Sequence, residues 1–536
     1  MPGPEWLKNA VVYEIYPQSF QDSNGDGIGD LPGIIAKLDY IKDLGVNAIW
    51  LNPCFESPFQ DAGYDISDYY KVAPRYGTNA DMKKLFEQAH RRGLKVLLDL
   101  VAGHTSMQHP WFKESCKAQK NKYSNYFIWT NSWGGDGGGY RFINGYAERD
   151  GNFMINFFYC QPALNYGFVD PDPRYPWQLP ATHPDVKAVR EELRNIMKFW
   201  LEMGCDGFRV DMASSLVRGN QAERGINELW HDYRSWLDKN YPEAVLVSEW
   251  SHPAKAIDAG FHIDFMVHFG LPGYTNLFRQ EDYRVHNSPF GGNGFSYFDR
   301  TGKGDAKAFV NNLLEQLKAT AGKGYVAIPT GNHDIGRIRQ GRTDDELKTV
   351  YAMIFTLPGV PFLYYGDEIG MDYVSGLTSK EGGYNRTGSR TPMLWGKGAK
   401  AGFSTAAPKD FYLPLPSENE RSSVAAQEKK PDSLLHFVQF LIKLRRENPA
   451  LAGTGSFRPL YAEDHAYPLV YERAGGRKRF VIAVNPSGKE ATAEFGWPDV
   501  NKFKPVAIGG QITLEIQPGA AHLVMSPASY AIYGLK

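Results

Sequence analysis

Short apolar runs of strand length alternate with segments of helical apolar spacing through most of the chain. Eight runs are predicted as buried strands: Val11–Tyr16, Ala48–Pro53, Lys95–Val101, Gly207–Met212, Leu246–Trp250, Asp264–Phe269, Val326–Asp334 and Phe362–Asp367. Helices are predicted over Leu31–Leu44, Asn79–Arg92 (with Asn79 as N-cap), Pro184–Met203, Ile226–Leu237, Ala306–Ala319, Glu346–Leu357 and Ser433–Arg446. Such alternation is typical of parallel βα units. Eight units predict a (β/α)8 TIM barrel, because an open doubly wound sheet would have to be unusually wide.

The alternation is interrupted after His104 and ends near Ala452. Residues 104–185 look like loop, with a Gly-rich stretch at Gly134–Gly139. A structureless loop of that length is improbable in a compact domain, so we expect an inserted subdomain after the third strand. After Ala452, short runs separated by turn residues predict a C-terminal antiparallel β-sandwich. The predicted domains are a barrel over 1–103 and 186–451, a subdomain over 104–185 and a sandwich over 452–536.

Composition narrows the class of protein. The chain has 536 residues and a formal net charge of -1, which gives no electrostatic case for binding nucleic acid or an acidic membrane surface. The four cysteines (Cys54, Cys116, Cys160, Cys205) lack metal-site spacing and are predicted to be free thiols. No apolar run approaches the roughly 18 residues that span a bilayer. Because the first residues lack a signal-peptide pattern, we expect a cytoplasmic protein, or a periplasmic or secreted one if a signal peptide was removed.

Charged side chains follow several of the predicted strands. Arg209 and Asp211 lie on one face of the fourth strand, Glu249 ends the fifth, Asp334 ends the seventh, and His104 follows the third. In a (β/α)8 barrel the carboxyl ends of the strands meet at one site. Retaining cleavage of a glycosidic bond needs two carboxyl groups about 5–5.5 Å apart. Neighbouring strands, about 4.8 Å apart, can supply that separation.

We expect Arg209 to keep Asp211 ionised, and the apolar surroundings of Glu249, including Trp250, to favour its protonated form. One alternative is a buried ion pair of Arg209 and Asp211 that only orders the strand end. Another is two-metal hydrolysis, which usually requires more histidines and carboxylates clustered together. The acid pair beside an arginine fits sugar chemistry better, and the 14% aromatic content suits stacking on sugar rings.

A loop after the first strand carries alternating oxygen-bearing side chains. The side chains of Asp22, Asn24, Asp26 and Asp30, with the carbonyl of Ile28, can converge on one hard cation, as at the start of an EF-hand loop. The alternative is a solvated Asx/Gly turn. Because three crowded aspartates repel unless neutralised, we predict structural Ca²⁺, with Mg²⁺ as a substitute, and no organic cofactor.

Together these motifs resemble the α-amylase family of retaining glycoside hydrolases and transglycosidases. The resemblance rests on Asp99–His104, Gly207–Asp211, Glu249 and Asn332–Asp334, in this order, and covers essentially the whole chain. It implies that Asp211 is the nucleophile, that Glu249 is the general acid/base, and that Asp334 holds the sugar hydroxyls.

The resemblance also implies residues that contact the sugar. His104, Arg209 and His333 are expected to line the −1 subsite, and Tyr64 is expected to stack under the −1 sugar. Tyr16–Phe20 and Gln161–Asn165 resemble the oligo-1,6-glucosidase and α-glucosidase branch.

In that branch Asp65 and Arg390 would seal the non-reducing end of the site. Sealing makes a pocket that releases single glucose units. The alternative interpretation of these two residues is a structural surface salt bridge.

Three positions depart from the family pattern. Gly103 stands where the family often has a calcium-binding asparagine, so no second calcium site is predicted. Ala163 replaces the usual aspartate of the Gln161–Asn165 motif. Met212, after the nucleophile, matches neither common residue that selects between α-1,4 and α-1,6 linkages, which leaves the linkage open.

The sequence therefore predicts a retaining exo-acting α-glucosidase for short malto- or isomalto-oligosaccharides or disaccharides. A transglucosidase or isomerase (trehalose synthase-like or sucrose-acting) is the nearest alternative, because only the acceptor of the glucosyl group differs. An endo-acting α-amylase follows if Asp65 and Arg390 do not close the pocket. A non-catalytic sugar-binding relative is disfavoured, because Asp211, Glu249 and Asp334 are all present.

Overall fold

The computed structural model describes residues 3–267, 273–279, 295–416 and 423–535. Eight parallel strands form a closed barrel: β1 (Val12–Ile15), β2 (Ala48–Leu51), β3 (Lys95–Val101), β4 (Gly207–Asp211), β5 (Val245–Ser248), β6 (Ile263–Phe265), β7 (Tyr325–Pro329) and β8 (Val360–Tyr364). Each strand pairs with its neighbours in sequence, and β8 pairs with β1. The predicted (β/α)8 barrel is confirmed. The predicted sixth strand extended to Phe269, which lies outside the described residues.

The register of the parallel strands places their charged ends at the same height in the barrel. Val101 of β3 lies beside Asp211 of β4, and Val210 of β4 lies beside Ser248 of β5, the residue before Glu249. Side chains alternate along a strand, so Arg209 and Asp211 share the face opposite to that of Val210. Val210 belongs to the main apolar core of the molecule.

The helices lie close to their predicted positions. The α-helices are Leu31–Ala36, Leu38–Leu44, Asn79–Arg91, Pro110–Ser115, Pro184–Met203, Ala222–Asn240, Pro253–Asp258, Tyr274–Phe278, Lys307–Thr320, Asp344–Ile354, Val424–Gln427 and Leu434–Glu447. Short 3₁₀ helices are Glu5–Asn9, Pro17–Ser19, Ala213–Ser215, Asp367–Ile369, Tyr384–Ser389, Pro408–Asp410 and Val500–Lys502. The predicted N-cap Asn79 is wrong by one residue. Thr78 caps that helix and forms a capping box with Asp81.

Residues 104–185, which interrupt the alternation of strands and helices, pack next to the end of β3. It contains the antiparallel strand pair Phe142–Ile143 and Phe153–Met154 and an apolar cluster of its own that includes Phe168 and Trp177. A bridge between His104 and Ala163 joins it to the barrel. A second short pair, Phe55–Glu56 with Asp68–Val72, follows β2.

The C-terminal part consists of two antiparallel sheets. The strands of the five-stranded sheet are Ser456–Tyr461, Leu469–Gly475, Lys478–Asn485, Ser529–Leu535 and Phe503–Gly509. The strands of the three-stranded sheet are Ala491–Gly496, Ala520–Met525 and Ile512–Gln517. The two sheets share one apolar cluster, so the predicted sandwich is confirmed. The exact domain limits stay a prediction.

Two sequence-based expectations about the whole chain can be compared with the structure. All four cysteines are free, as predicted; Cys54, Cys160 and Cys205 are buried, whereas Cys116, also expected to be buried, is half-buried. Among the described helices, none has both the length and the apolar character needed to cross a membrane.

Candidate active site

A cavity of about 400 Å³ opens where the strands of the barrel end at their carboxyl termini. Its lining residues are Asp61, Tyr64, His104, Phe157, Asp211, Met212, Ser214, Ser215, Glu249, Trp250, Asp334 and Arg386. The volume is within the usual range for a small-molecule site. Arg209 and His333 lie behind this wall and contact its carboxylates. The three predicted catalytic acids therefore meet in one cavity.

Arg209 holds the predicted nucleophile and the predicted acid/base together. One guanidinium nitrogen lies 3.3 Å from Asp211 and 3.0 Å from Asp99, and the other lies 2.9 Å from Glu249. The side chains of Asp211 and Glu249 are close enough for each to influence the other electrostatically. Because Arg209 is only 3% exposed, these contacts act in a poorly solvated environment. The two acids are therefore fixed side by side.

The electrostatic surroundings of Asp211 include more than the arginine expected from the sequence. Burial, followed by the neighbouring Glu249 carboxylate, raises the pKa of Asp211 well above its usual range, and Arg209 opposes this only in part. Arg209 therefore favours the ionised form of Asp211, as expected, but offsets only part of the rise in its pKa. The reason is that one guanidinium is divided among Asp99, Asp211 and Glu249.

Met212 orients the predicted acid/base. Its backbone adopts a left-handed conformation with φ 43°, which is uncommon for a residue other than glycine. In this conformation its N–H donates a hydrogen bond of 3.0 Å to Glu249 Oε2. Strained backbone at this point therefore contributes directly to the position of the Glu249 carboxyl group.

Three cations surround the third acid, Asp334. His333, Arg386 and Arg390 lie 3.2, 2.8 and 3.1 Å from its carboxylate. Burial raises the pKa of Asp334, but these three cations outweigh burial and hold the pKa well below its usual range. The hydroxyl of Tyr64 contacts His333 Nε2 at 2.8 Å. Asp334 is therefore an ionised acceptor at the cavity wall.

The predicted clamp of Asp65 with Arg390 is not formed. Asp65 is fully buried and accepts hydrogen bonds from Ser57 and from the backbone amides of Gln60 and Asp61. Arg390 instead donates to the carbonyl of His333 and to Asp334. These two residues hold different parts of the site in place and are not among the cavity-lining residues.

Arg386 and Asp61 contact each other in the cavity wall. Arg386 lies 2.8 Å from Asp334 and 3.6 Å from Asp61, and Gln161 donates a 2.7 Å hydrogen bond to Asp61. Burial raises the pKa of Asp61 to about 6, although Arg386 opposes this. Sequence reasoning missed both residues. Each is four residues before the chosen residue of the same type, Asp65 or Arg390, and nothing in the sequence separates the two candidates.

His104 is a neutral donor in the wall. Its Nε2 lies 3.0 Å from the Tyr64 carbonyl, and its Nδ1 lies 3.1 Å from the Asn156 amide nitrogen. Burial lowers the pKa of His104 to about 4, so the ring is neutral at physiological pH. Packing explains the glycine at position 103, because a Cβ atom there would lie 2.6 Å from Asn156 Nδ2.

The loop predicted to bind calcium forms a network of internal hydrogen bonds. Asp22 accepts from backbone amides of the loop, Asn24 and Asp26 each accept from the amide two residues on, and Asp30 caps the helix that follows. The donor set, with the Ile28 carbonyl, is all oxygen, as Ca²⁺ prefers. Within the described residues no group of three or more His, Cys, Asp or Glu is placed to hold a metal ion, so calcium stays a prediction.

The chain matches a known family over most of its length. The model of the alpha amylase catalytic domain matches residues 14–454. An oligo-1,6-glucosidase of Parageobacillus thermoglucosidasius is 32% identical, with 92% of each chain covered. The trehalose synthase/amylase TreS of Mycobacterium tuberculosis is 30% identical, with 95% of this chain and 86% of that protein covered.

A solved structure supports the same relationship. The trehalulose synthase MutB from Pseudomonas mesoacidophila MX-45 is similar over all of both chains, with a TM-score of 0.80 and 26% sequence identity.

Proposed function

The chain belongs to the α-amylase family of glycoside hydrolases, and from this premise we propose that it is a retaining, exo-acting α-glucosidase. Its substrates would be short malto- or isomalto-oligosaccharides or disaccharides. The observation that carries the proposal is the pair Asp211 and Glu249, held by Arg209 in a cavity that Arg386 closes toward Asp61.

In the proposed mechanism the two carboxyl groups have different roles. Asp211 attacks the anomeric carbon while Glu249 donates its proton to the leaving oxygen, which gives a glycosyl ester on Asp211. Glu249 then removes a proton from water, which attacks the ester and restores both groups. Two displacements retain the anomeric configuration. This chemistry starts with Asp211 ionised and the proton on Glu249, and the contact of Arg209 with Asp211 favours the ionised nucleophile.

Exo action is supported by the cations at one end of the cavity. Arg386 contacts Asp61 and Asp334 together, and it also donates to the carbonyl of Gly382. A sugar that reached past this contact would have to displace a largely buried ion pair, which is costly. A glucose unit bound against Asp334 would therefore be the terminal unit of the substrate.

Product analysis tests the proposal. Maltotriose, isomaltose and sucrose are incubated with the enzyme beside soluble starch, and products are followed over time. We expect glucose from the short sugars while starch chain length changes little. A rapid fall in starch chain length would instead identify an endo-acting amylase. The anomer first released, followed by NMR, tests retention.

A second candidate is transfer of glucose to a sugar in place of water. Two similar proteins are named for such activity, a trehalose synthase/amylase at 30% identity and a trehalulose synthase at 26% identity. The glycosyl ester on Asp211 would be common to both reactions. The same time course with and without an added acceptor sugar separates them, because transfer yields new disaccharides at the expense of free glucose.

We also propose that the Asp22–Asp30 loop binds calcium as a structural ion. The all-oxygen donor set supports this, and Asn24 Oδ1 and Asp26 Oδ1 each accept a single backbone hydrogen bond, which leaves each of them a second lone pair. Added Ca²⁺ should raise the melting temperature and a chelator should lower it. Asp26→Ala should remove this dependence, and an identical melting curve with chelator would identify the loop as a plain turn.

A further inference from the structure

A buried carboxylate on β1 has no part in the mechanism above. Glu14 is fully buried at the barrel interior, and its Oε1 lies 2.9 Å from His333 Nδ1. Asn52 donates to the same oxygen at 3.2 Å. Within the part of the chain that the structure describes, Glu14 Oε2 has no hydrogen-bond partner. A carboxylate buried in this way is costly unless its charge is used.

The ring of His333 lies between two carboxylates. Glu14 faces Nδ1, and Asp334 faces Nε2 at 3.2 Å. Tyr16 and Tyr64 stack on the ring with interplanar angles of 11° and 15°, so its orientation is fixed. A neutral imidazole carries one N–H and can donate to only one of the two acids. Two opposed carboxylates therefore favour the doubly protonated imidazolium.

We propose that Glu14 is a positioning residue that keeps His333 doubly protonated, and that His333 in turn keeps Asp334 ionised and aimed at the sugar. The inference rests on the proposed glycosidase function, because it assigns Asp334 to substrate binding. Glu14 itself touches no substrate. Its charge acts through the ring of His333, across the floor of the cavity.

The electrostatic surroundings of His333 agree with this role. Among the described residues, the charged and titratable groups around His333 and its two carboxylate partners include Glu14, Tyr16, Tyr64, Asp99, Arg209, Asp334, Tyr364, Arg386 and Arg390. Burial lowers the pKa of His333, but Asp334 and Glu14 outweigh it and raise the pKa to about 9. The two acids thus outweigh the desolvation of the ring.

The variant Glu14→Gln removes the charge and keeps a hydrogen-bond acceptor for Nδ1. An opposite charge at this distance moves a pKa by about 1–3 units, so the pKa of His333 should fall by a similar amount. We expect the alkaline limb of the kcat/KM profile to move to lower pH, while activity at about pH 6 falls much less. Glu14→Asp, which restores the charge, should return the limb toward that of the parent.

The matched control is Glu368→Gln. Glu368 is also fully buried, but it accepts hydrogen bonds from Tyr13 and Tyr40 and does not line the cavity. This variant measures how far the loss of a buried carboxylate charge by itself lowers stability and activity. Its alkaline limb should match that of the parent.

Thermal unfolding tests the charge coupling without any assay of activity. The folded pKa of His333, about 9, lies above its ordinary value of about 6.5. Its stabilising contribution is therefore complete below about pH 6.5 and is lost as pH rises through about 9. Between roughly pH 7.5 and 9.5 the parent and Glu368→Gln should lose more Tm than Glu14→Gln.

Equal slopes of Tm against pH for the parent and Glu14→Gln would overturn the proposal. A changed slope with an unmoved alkaline limb would overturn its catalytic part, because Glu14 would then charge His333 without affecting sugar binding. If the parent releases no glucose from any sugar, the proposed function fails, whereas the unfolding comparison still decides the coupling.

Discussion

The closed end of the cavity depends on Arg386, so Arg386→Ala should impair the action of the enzyme on short sugars. The side chain is 17% exposed and contacts Asp334 at 2.8 Å and Asp61, itself 6% exposed, at 3.6 Å. Removing one partner of a largely buried ion pair costs about 2–4 kcal/mol, because the acids left behind lose their counter-charge. If that energy is expressed in the transition state, kcat/KM falls roughly 30- to 1,000-fold.

The assay is glucose release from maltose and isomaltose, with soluble starch measured in parallel. Starch cleavage should change less than disaccharide cleavage, because the open end then admits longer chains. Arg224→Ala is the matched control, since Arg224 forms an exposed pair with Asp170 at 3.5 Å, away from the cavity-lining residues. Disaccharide activity of Arg386→Ala within about threefold of the parent, in a folded protein, would refute the clamp.

Three further predictions concern other sites. Asp211→Asn should lower turnover on the order of 10⁴-fold or more with an unchanged circular dichroism spectrum, and near-normal turnover would remove Asp211 as nucleophile. Burial raises the pKa of Asp264 to about 7, so its stabilising contribution is lost as pH rises from about 4 to 7. The Tm of Asp264→Asn should therefore fall less over that range, and an unchanged slope would contradict this. Thr78→Ala removes a capping box and should cost about 1 kcal/mol in urea unfolding at unchanged activity, unless the cap contributes nothing.

The barrel and the acids at its rim are determined by local sequence. Buried parallel strands are short apolar runs, and the helices between them carry their own periodicity, so the predicted limits of β3 and of the helix Pro184–Met203 are correct to the residue. The carboxyl ends of the barrel strands converge on one site irrespective of the conformation of the loops. For that reason the amino-acid sequence alone suffices to group Asp211, Glu249 and Asp334 at one site.

Which charged side chains contact one another is determined only by the tertiary structure. Asp61 and Asp65 share one loop, as Arg386 and Arg390 share one turn, and each pair differs only in which side chain faces the cavity. Loop conformation sets that direction, and it depends on contacts from distant segments. The electrostatic surroundings of Asp211 also depend on the folded barrel, because Arg209 contacts acids from three separate segments of the chain.

The same distinction explains Glu14. In sequence it is one polar residue in an apolar strand, 319 positions from His333. Closure of the barrel through β1 and β8 brings the two into contact at its centre. Local sequence thus specifies the strands and the residues they carry, because propensity and periodicity act over a few positions. Charged residues inside the barrel pair with residues that are far apart in sequence. These contacts form only when the chain has folded.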